Sequence, residues 1–300
     1  MKSKLEDLPL PASSSNKSGT IKFMTSNTTL TTITVAYMVI GIVTTLINKL
    51  LLTYSEYKFP YPLFTVLFQL SISFSVLMLW SQWQPIQHPT VKFTFRWDTT
   101  IARRTMPLAI VYVCIVLFHP LYLQHVEATN YHFTQSLSIG FSMVFSYLML
   151  QTNYSRHIKS ACVSIIIGTC VASMGYINFS SAGAFYGLAW PAMLALYGIY
   201  LKKTLLALRH DIWMLVQYNT LLSIVLLTPF VILSGELAEI FSTVWFWDEF
   251  GFWLQMLITS IAGLSVNLIM MVLLTYTSPL TLVVAITSKP FCLEIGFNFW

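Results

Sequence analysis

Nine runs of apolar residues, most of them close to twenty residues long, divide this chain into segments separated by shorter polar stretches. A helix of about 20 residues crosses the hydrocarbon core of a bilayer, so runs of this length predict membrane-spanning helices. The strands of a membrane β-barrel would instead show about ten residues of alternating polarity. The predicted spans are 30–52, 61–82, 106–125, 131–151, 158–178, 183–201, 212–234, 251–275 and 280–300.

Residues 1–28 differ from the rest of the chain, because they are polar, rich in turn-forming residues and poor in hydrophobic ones. Such a segment buries too little apolar surface to fold, so we expect a disordered tail. No signal-peptide pattern precedes the first span. The sequence therefore predicts a tail at 1–28 and an all-α, polytopic membrane domain at 29–300.

The composition agrees with a membrane protein: 56% of the residues are hydrophobic, 9% are charged and the mean hydropathy is +0.70. The net charge of +5 does not indicate nucleic-acid binding, since no basic patch is interleaved with exposed aromatics. The four cysteines lie in apolar runs without metal-ligand spacing, so we expect no metal and no cofactor. No hydrolase, zinc-protease or phosphate-loop motif is present, so we expect no enzyme.

The basic residues sort by loop. Of the 16 Lys and Arg residues, all but Lys49, Lys58 and Lys289 fall in the tail and in the even-numbered loops. The odd-numbered loops hold six of the 11 acidic residues and a single basic one. Because cytosolic loops retain Lys and Arg, this pattern predicts a cytosolic N-terminus.

Two breaks between spans, 126–129 and 276–279, lie 150 residues apart and resemble each other. Each is followed by a helix that begins with polar residues. Because five spans separate the breaks, a five-helix unit repeated once would appear in opposite orientations, as in many transporters with a site near the midplane. This predicts a first repeat at about 29–178 and a second, incomplete repeat at about 183–300.

Lys289 is a charge within an apolar span, about ten residues from the start of the span. A lysine at a helix centre costs about 2.5–3.5 kcal/mol on insertion scales, so it is expected to face a cavity, a partner or an anion. Thr287 and Ser288 add hydroxyls beside it, and the set suits a phosphate oxygen. The alternative is a lysine that extends to the interface or pairs with Glu294.

Four other positions are weaker candidates for ligand binding. Asn48 and Lys49 lie near the end of the first span, where a lysine usually reaches the interface. Gln217, Tyr218, Asn219 and Thr220 begin the seventh span and could hydrogen-bond and stack with a base, or form an interfacial polar cap. Asn267 in the eighth span and Gln135 in the fourth could bind a ligand or hold helices together.

Several short motifs occur in one order along residues 35–295. They are Asn48-Lys49, Ser136-Leu137-Ser138 with Ser146-Tyr147-Leu148, Gln217-Tyr218-Asn219-Thr220 followed by Gly235-Glu236, and Thr277-Ser278-Pro279-Leu280-Thr281 followed by Lys289. In these motifs the chain resembles the nucleotide-sugar transporters of the drug/metabolite transporter superfamily. Within them it is most similar to the GDP-fucose transporters.

The resemblance implies ten helices in two inverted halves and exchange of a GDP-sugar for GMP across the Golgi or ER membrane. It implies that Tyr218 and Asn219 contact the guanine end of the substrate. Asn267 and Lys289 would then serve the sugar and phosphate portion. Thr287, Ser288, Gln135, Asn48 and Lys49 complete the predicted substrate-binding set.

The chain departs from the family pattern at Thr220, which replaces the second asparagine of an FYNN motif, and at Gln135, which replaces an arginine. Pro290 replaces a small residue after the lysine. Another nucleotide sugar or a phosphorylated metabolite therefore stays open as the substrate. The nine predicted spans lack a tenth, so a truncated, non-transporting isoform, a homodimer and pairing with a full-length chain also stay open.

Overall fold

The computed structural model describes residues 27–49, 59–87, 97–126, 128–173 and 181–298. The predicted tail lies outside these residues, except for its last two positions. Ten helices and no strand occur in the described ranges. The helices are α1 (Asn27–Lys49), α2 (Pro62–Gln87), α3 (Thr99–His125), α4 (Ala128–Leu150), α5 (Arg156–Ser173), α6 (Ser181–Ala207), α7 (Ile212–Leu233), α8 (Glu236–Thr243), α9 (Phe250–Tyr276) and α10 (Pro279–Asn298).

Each of the nine predicted spans overlaps one long helix, while 50–52, 174–178 and 299–300 of these spans lie outside the described residues. The chain is a polytopic bundle of membrane-spanning helices. Seven helices, namely α1 to α4, α6, α7 and α9, are long and apolar enough to cross a bilayer along most of their described length. Among the side chains that the structure describes, α10 contributes a further apolar stretch, Pro279–Cys292. The eight-residue α8 lies between α7 and α9 and was not predicted from the apolar runs.

Local chemistry sets where several helices begin. The carboxylate of Asp98 accepts a hydrogen bond of 2.8 Å from the backbone N–H of Thr100, so α3 begins seven residues before the predicted span. Asp211 caps α7 in the same way through the N–H of Met214. Gly235, with φ of 78°, starts α8 in the left-handed region that favours glycine.

The bundle is held by helix pairs that are distant in sequence. Helix α6 packs against α3 and α4, α9 packs against α1 and α2, and α7 packs against α2 and α3. Helix α10 lies against α4, α6 and α1. The largest apolar cluster includes Leu201 and Leu205 of α6, Met271 and Leu274 of α9, and Leu282 of α10, all of which are fully buried.

Candidate functional site

Helix α10 begins at a polar break that fixes its first turn. The chain leaves α9 at Thr277, whose Oγ1 donates to the carbonyl of Leu273 at 2.8 Å. The hydroxyl of Ser278 accepts a hydrogen bond from the N–H of Thr281 at 3.3 Å. Pro279 occupies the first helical position, where a backbone N–H would have no acceptor within the helix, so the missing N–H of proline costs nothing. The break thus starts α10 and directs it between α1, α4 and α6.

Lys289 of α10 points at α1. Its ammonium nitrogen lies 3.8 Å from the centroid of the Tyr37 ring, which is the geometry of a cation–π interaction. Gly41, one turn after Tyr37, contacts the end of the same side chain. No carboxylate pairs with Lys289 among the side chains that the structure describes, and the side chain of Glu294 lies outside them.

The Tyr37 ring beneath this ammonium belongs to a group of three tyrosines. Tyr37 and Tyr197 are buried in one cluster, Tyr112 packs against it, and the rings of Tyr112 and Tyr197 are 5.9 Å apart. None of the three hydroxyls forms a hydrogen bond with another part of the described chain. One ammonium and three phenol hydroxyls are all hydrogen-bond donors, so the cluster suits an anion with several oxygens.

The hydroxyls beside Lys289 are engaged by their own helix. Thr287 donates to the carbonyl of Val284 at 3.0 Å, and Ser288 donates to that of Ala285 at 3.1 Å. Ser288 also lies 3.7 Å from the sulfur of Met38 on α1. Both residues therefore support the packing of α10, and their oxygen lone pairs are what they can still offer to a ligand.

Tyr218 of α7 is turned toward the start of α3. Its hydroxyl accepts the backbone N–H of Asp98 at 2.7 Å, and its ring stacks on Trp97 with centroids 5.7 Å apart. The neighbouring Asn219 is 2% exposed, and its Oδ1 has no hydrogen-bond partner in the described chain. The two residues thus point to different surroundings, and it is the amide of Asn219 that is left with an open acceptor.

Buried acceptors without partners also occur at other predicted site residues. Within the described ranges this is true of Gln135 Oε1 on α4, Thr220 Oγ1 on α7 and Asn267 Oδ1 on α9. A buried polar atom without a partner costs about 1–3 kcal/mol. Native proteins seldom leave such atoms without a role, so these three oxygens are candidates for ligand contacts.

The remaining predicted residues are not linked to this group. Asn48 lies at the far end of α1, about two turns beyond Gly41, and the side chain of Lys49 lies outside the described residues. A groove of about 800 Å³ along α1 is lined by Thr28, Thr31, Thr32, Val35, Ala36, Val39 and Ile40. It contains none of the predicted site residues, so we do not assign the site to it.

Metal chemistry has no ligand set in the described part of the chain. No group of three or more His, Cys, Asp or Glu residues that could hold an ion occurs there. Sequence reasoning selected Lys289 as a candidate, but it did not select its neighbours Tyr37 and Gly41, or Tyr112 and Tyr197 of the same apolar cluster. In the sequence these residues are only tyrosines and a glycine inside apolar spans, and such residues are too common there to be chosen as site candidates.

Comparison with known proteins gives one family and several relatives. The model of the triose-phosphate transporter family matches residues 28–293. GDP-fucose transporter 1 of Dictyostelium discoideum is 31% identical over 280 residues, which cover 92% of this chain and 74% of the relative. GDP-fucose transporter 1 of Monosiga brevicollis is 29% identical, covering 84% and 76%. The Golgi GDP-fucose transporter of Drosophila melanogaster is 28% identical, covering 84% and 76%.

Proposed function

Because this chain belongs to the triose-phosphate transporter family, we propose that it carries a GDP-sugar, GDP-fucose, across the Golgi membrane in exchange for GMP. The names of the three relatives support the substrate, and the Drosophila name supports the Golgi. The observation that carries the proposal is the ammonium of Lys289, held over the Tyr37 ring within a spanning helix without a carboxylate partner among the described side chains.

Lys289 is proposed to bind the phosphate groups of both substrates. An ammonium in a low-dielectric bundle gains from a phosphate oxygen far more than it would in water, and no carboxylate among the described side chains compensates its charge. Tyr37 lies under the ammonium and belongs with Tyr112 and Tyr197 to one apolar cluster, and we propose that their hydroxyls donate to further oxygens. Thr287 and Ser288 hold α10 in place next to it.

Exchange rather than one-way release follows from the same charge. When the site is empty, the ammonium has no carboxylate partner among the described side chains, and moving it through the apolar bundle is costly. When a phosphate is bound, much of that cost is offset. The site should therefore change sides readily only when loaded, with GDP-sugar in one direction and GMP in the other.

The guanine end is assigned to α7 and its neighbours. The open acceptor of Asn219 can receive an N–H from a base edge, while Tyr218 holds the start of α3 beside it. Asn267 and Gln135 are proposed to contact the sugar through their free oxygens. Asn48 and Lys49 are retained as substrate residues at the other end of α1 on the strength of the family resemblance alone.

The helix pairings support two related halves of opposite orientation. Each helix of one half can be matched to one of the other: α1 to α6, α2 to α7, α3 to α9 and α4 to α10. Under this matching the α3–α6 pair corresponds to the α9–α1 pair, and both pairs occur. The α3–α7 pair corresponds in the same way to the α9–α2 pair, and both of these pairs occur. The α2–α7 and α4–α10 pairs each correspond to themselves. We propose that the halves are residues 29–178 and 183–300, with the N-terminus in the cytosol.

A different nucleotide sugar or a phosphorylated metabolite is the second candidate. Gln135 and Thr220, which depart from the family pattern, are both buried and both have an oxygen without a partner. Such side chains can change which sugar or base fits. As a carrier, the chain performs no bond-breaking step, so we propose no enzymatic activity.

The proposal is tested with the full chain in proteoliposomes preloaded with GMP. We expect uptake of labelled GDP-fucose that depends on internal GMP and is inhibited by external GMP more strongly than by UMP or CMP. Uptake of another nucleotide sugar in preference to GDP-fucose would show that this other sugar nucleotide is the substrate. Absence of exchange with any nucleotide sugar or phosphorylated metabolite would overturn the proposal and favour the non-transporting isoform.

A further inference from the structure

A second lysine lies within a spanning helix, and it is bound to backbone rather than to an aromatic ring. The ammonium of Lys202 on α6 donates to the carbonyl of Leu274 at 2.6 Å and to that of Thr277 at 2.9 Å. The carbonyl of Thr275 lies at 3.5 Å. All three acceptors belong to the end of α9 or to the break before α10.

Leu274 and Thr275 lie in the last turn of α9, where a helix leaves its carbonyls without partners, and Thr277 is the residue that caps this helix. The last four C=O groups of an α-helix have no intrahelical donor, and they carry the negative end of the helix dipole. A cation there supplies both hydrogen bonds and charge. Lys202 therefore holds the last turn of α9 and the start of α10 against α6.

Gly198, one turn earlier on the same face of α6, lies against the first turns of α10. A Cβ at this position would lie 3.8 Å from Val283, 3.9 Å from Pro279 and 4.0 Å from Leu282, so the first turns of α10 rest directly on the glycine. Leu201 and Leu205 continue the contact through the shared apolar cluster. The hairpin formed by α9 and α10 is thus closed onto α6 at this end of the bundle.

We propose that Lys202 is a positioning residue that latches this end of the transporter shut. The inference rests on the proposed transport function, because a carrier must open each end in turn. Opening this end requires the ammonium to release its carbonyl partners. Because Lys289 lies on the same helix α10, ten residues after Pro279, a tilt of the hairpin also moves the substrate lysine. On the proposed orientation the latched end faces the cytosol.

The test uses accessibility and exchange in the same proteoliposomes. In a background without the four cysteines, Leu282→Cys places a thiol at a site that is fully buried in the closed bundle. Lys202→Met should raise the rate at which a membrane-impermeant maleimide labels this thiol by about tenfold or more, since it removes charge-assisted hydrogen bonds. The same variant, without the added thiol, should lower both the KM for GMP at this side and the maximal exchange rate.

Lys203→Met is the matched control, because Lys203 is adjacent, carries the same charge and is exposed. It should leave the labelling rate and both kinetic constants near wild type, and Lys202→Arg should restore slow labelling. Should Lys202→Met not fold, Gly198→Leu opens the same contact without touching the lysine and should speed labelling, whereas Gly198→Ala should not.

Equal labelling of Lys202→Met and wild type, or equal effects of the two lysine substitutions, would overturn the latch. The labelling measurement needs no transport. If the wild type exchanges no GDP-fucose for GMP, the proposed function fails while the labelling result still decides the latch. If exchange occurs but labelling is unchanged, only the latch fails.

Discussion

Gly41 on α1 lies directly against the end of the Lys289 side chain on α10. A Cβ added at position 41 would lie 2.7 Å from Cε of the lysine, closer than carbon atoms pack, and 3.3 Å from its Cδ. The atoms in conflict are the far end of a flexible chain, so they can move without shifting the backbone of either helix. The absence of a side chain at Gly41 therefore determines where the ammonium is held.

We predict that Gly41→Ala impairs exchange without harming the fold. The added methyl group should displace the ammonium from Tyr37 and lower GDP-fucose/GMP exchange by about tenfold, since 1.4 kcal/mol of lost interaction corresponds to that factor. Thermal stability should stay the same or rise, because alanine favours a helix over glycine by up to about 1 kcal/mol. The measurements are exchange in proteoliposomes and thermal unfolding in detergent.

Gly168→Ala on α5 is the control for this prediction, because a Cβ there meets no atom within 4 Å. It should gain the same helix propensity and keep wild-type exchange. If both glycine variants transport equally well, the position of the lysine end does not matter for transport.

We also predict that Lys289→Met separates function from stability. Exchange of GDP-fucose for GMP should be abolished, because the phosphate loses its cation. Thermal stability should rise or stay constant, since a charge without a carboxylate partner among the described side chains is costly in a spanning helix and methionine has a similar volume. A lysine that merely held helices together would behave in the opposite way, with a loss of stability that precedes any loss of exchange.

Tyr218 and Asn219 are adjacent in sequence, yet we predict different effects when they are replaced. Tyr218→Phe removes the acceptor for the N–H of Asp98 and should lower the unfolding free energy by about 0.5–1.5 kcal/mol, with the preference for GMP over UMP retained. Asn219→Ala should instead reduce that preference, as measured by competition for exchange. If Tyr218→Phe reduces the preference and leaves stability unchanged, the phenol itself contacts the base.

The helices were predictable to the extent that a bilayer imposes their length. Apolar runs near twenty residues located all nine long helices, because a span needs that length whatever its neighbours are. Helix α8 was missed because it has only eight residues and one buried position, Ile240, so its pattern is not that of a span. The start of α3 was placed too late because Arg103 and Arg104 interrupt the apolar run, although Asp98 caps the helix before them.

The sequence offers a candidate site residue only where a single residue stands out from its own helix. Lys289 does so, because a charge in an apolar run has a cost that the sequence alone reveals. Its contacts with Tyr37 and Gly41 depend on how α1 and α10 pack, and periodicity along one helix carries no information on its partner. Lys202 was counted as a loop charge for the same reason, since the carbonyls it binds come from another helix.

Glu236 provides a contact whose strength should depend on pH. This residue begins α8, outside the spanning helices, and its carboxylate accepts the backbone N–H of Phe64 at 2.8 Å and that of Leu63 at 3.3 Å. It therefore joins α8 to the first turn of α2, where N–H groups lack intrahelical partners. Burial raises the pKa of Glu236, and the two N–H donors oppose that rise without cancelling it.

The sign of the pH dependence follows from this raised pKa. Between the ordinary value for glutamate and the raised pKa, the folded protein binds more protons at this site than the unfolded chain, so stability falls as the pH rises through this window. We predict that thermal unfolding of the wild type shows this decline in stability with pH. Glu236→Gln cannot titrate but keeps an acceptor, so it should show a smaller decline, reduced by the contribution of position 236. Glu239→Gln, one turn away and exposed, should keep most of the decline. An unchanged slope in Glu236→Gln would mean that another group titrates.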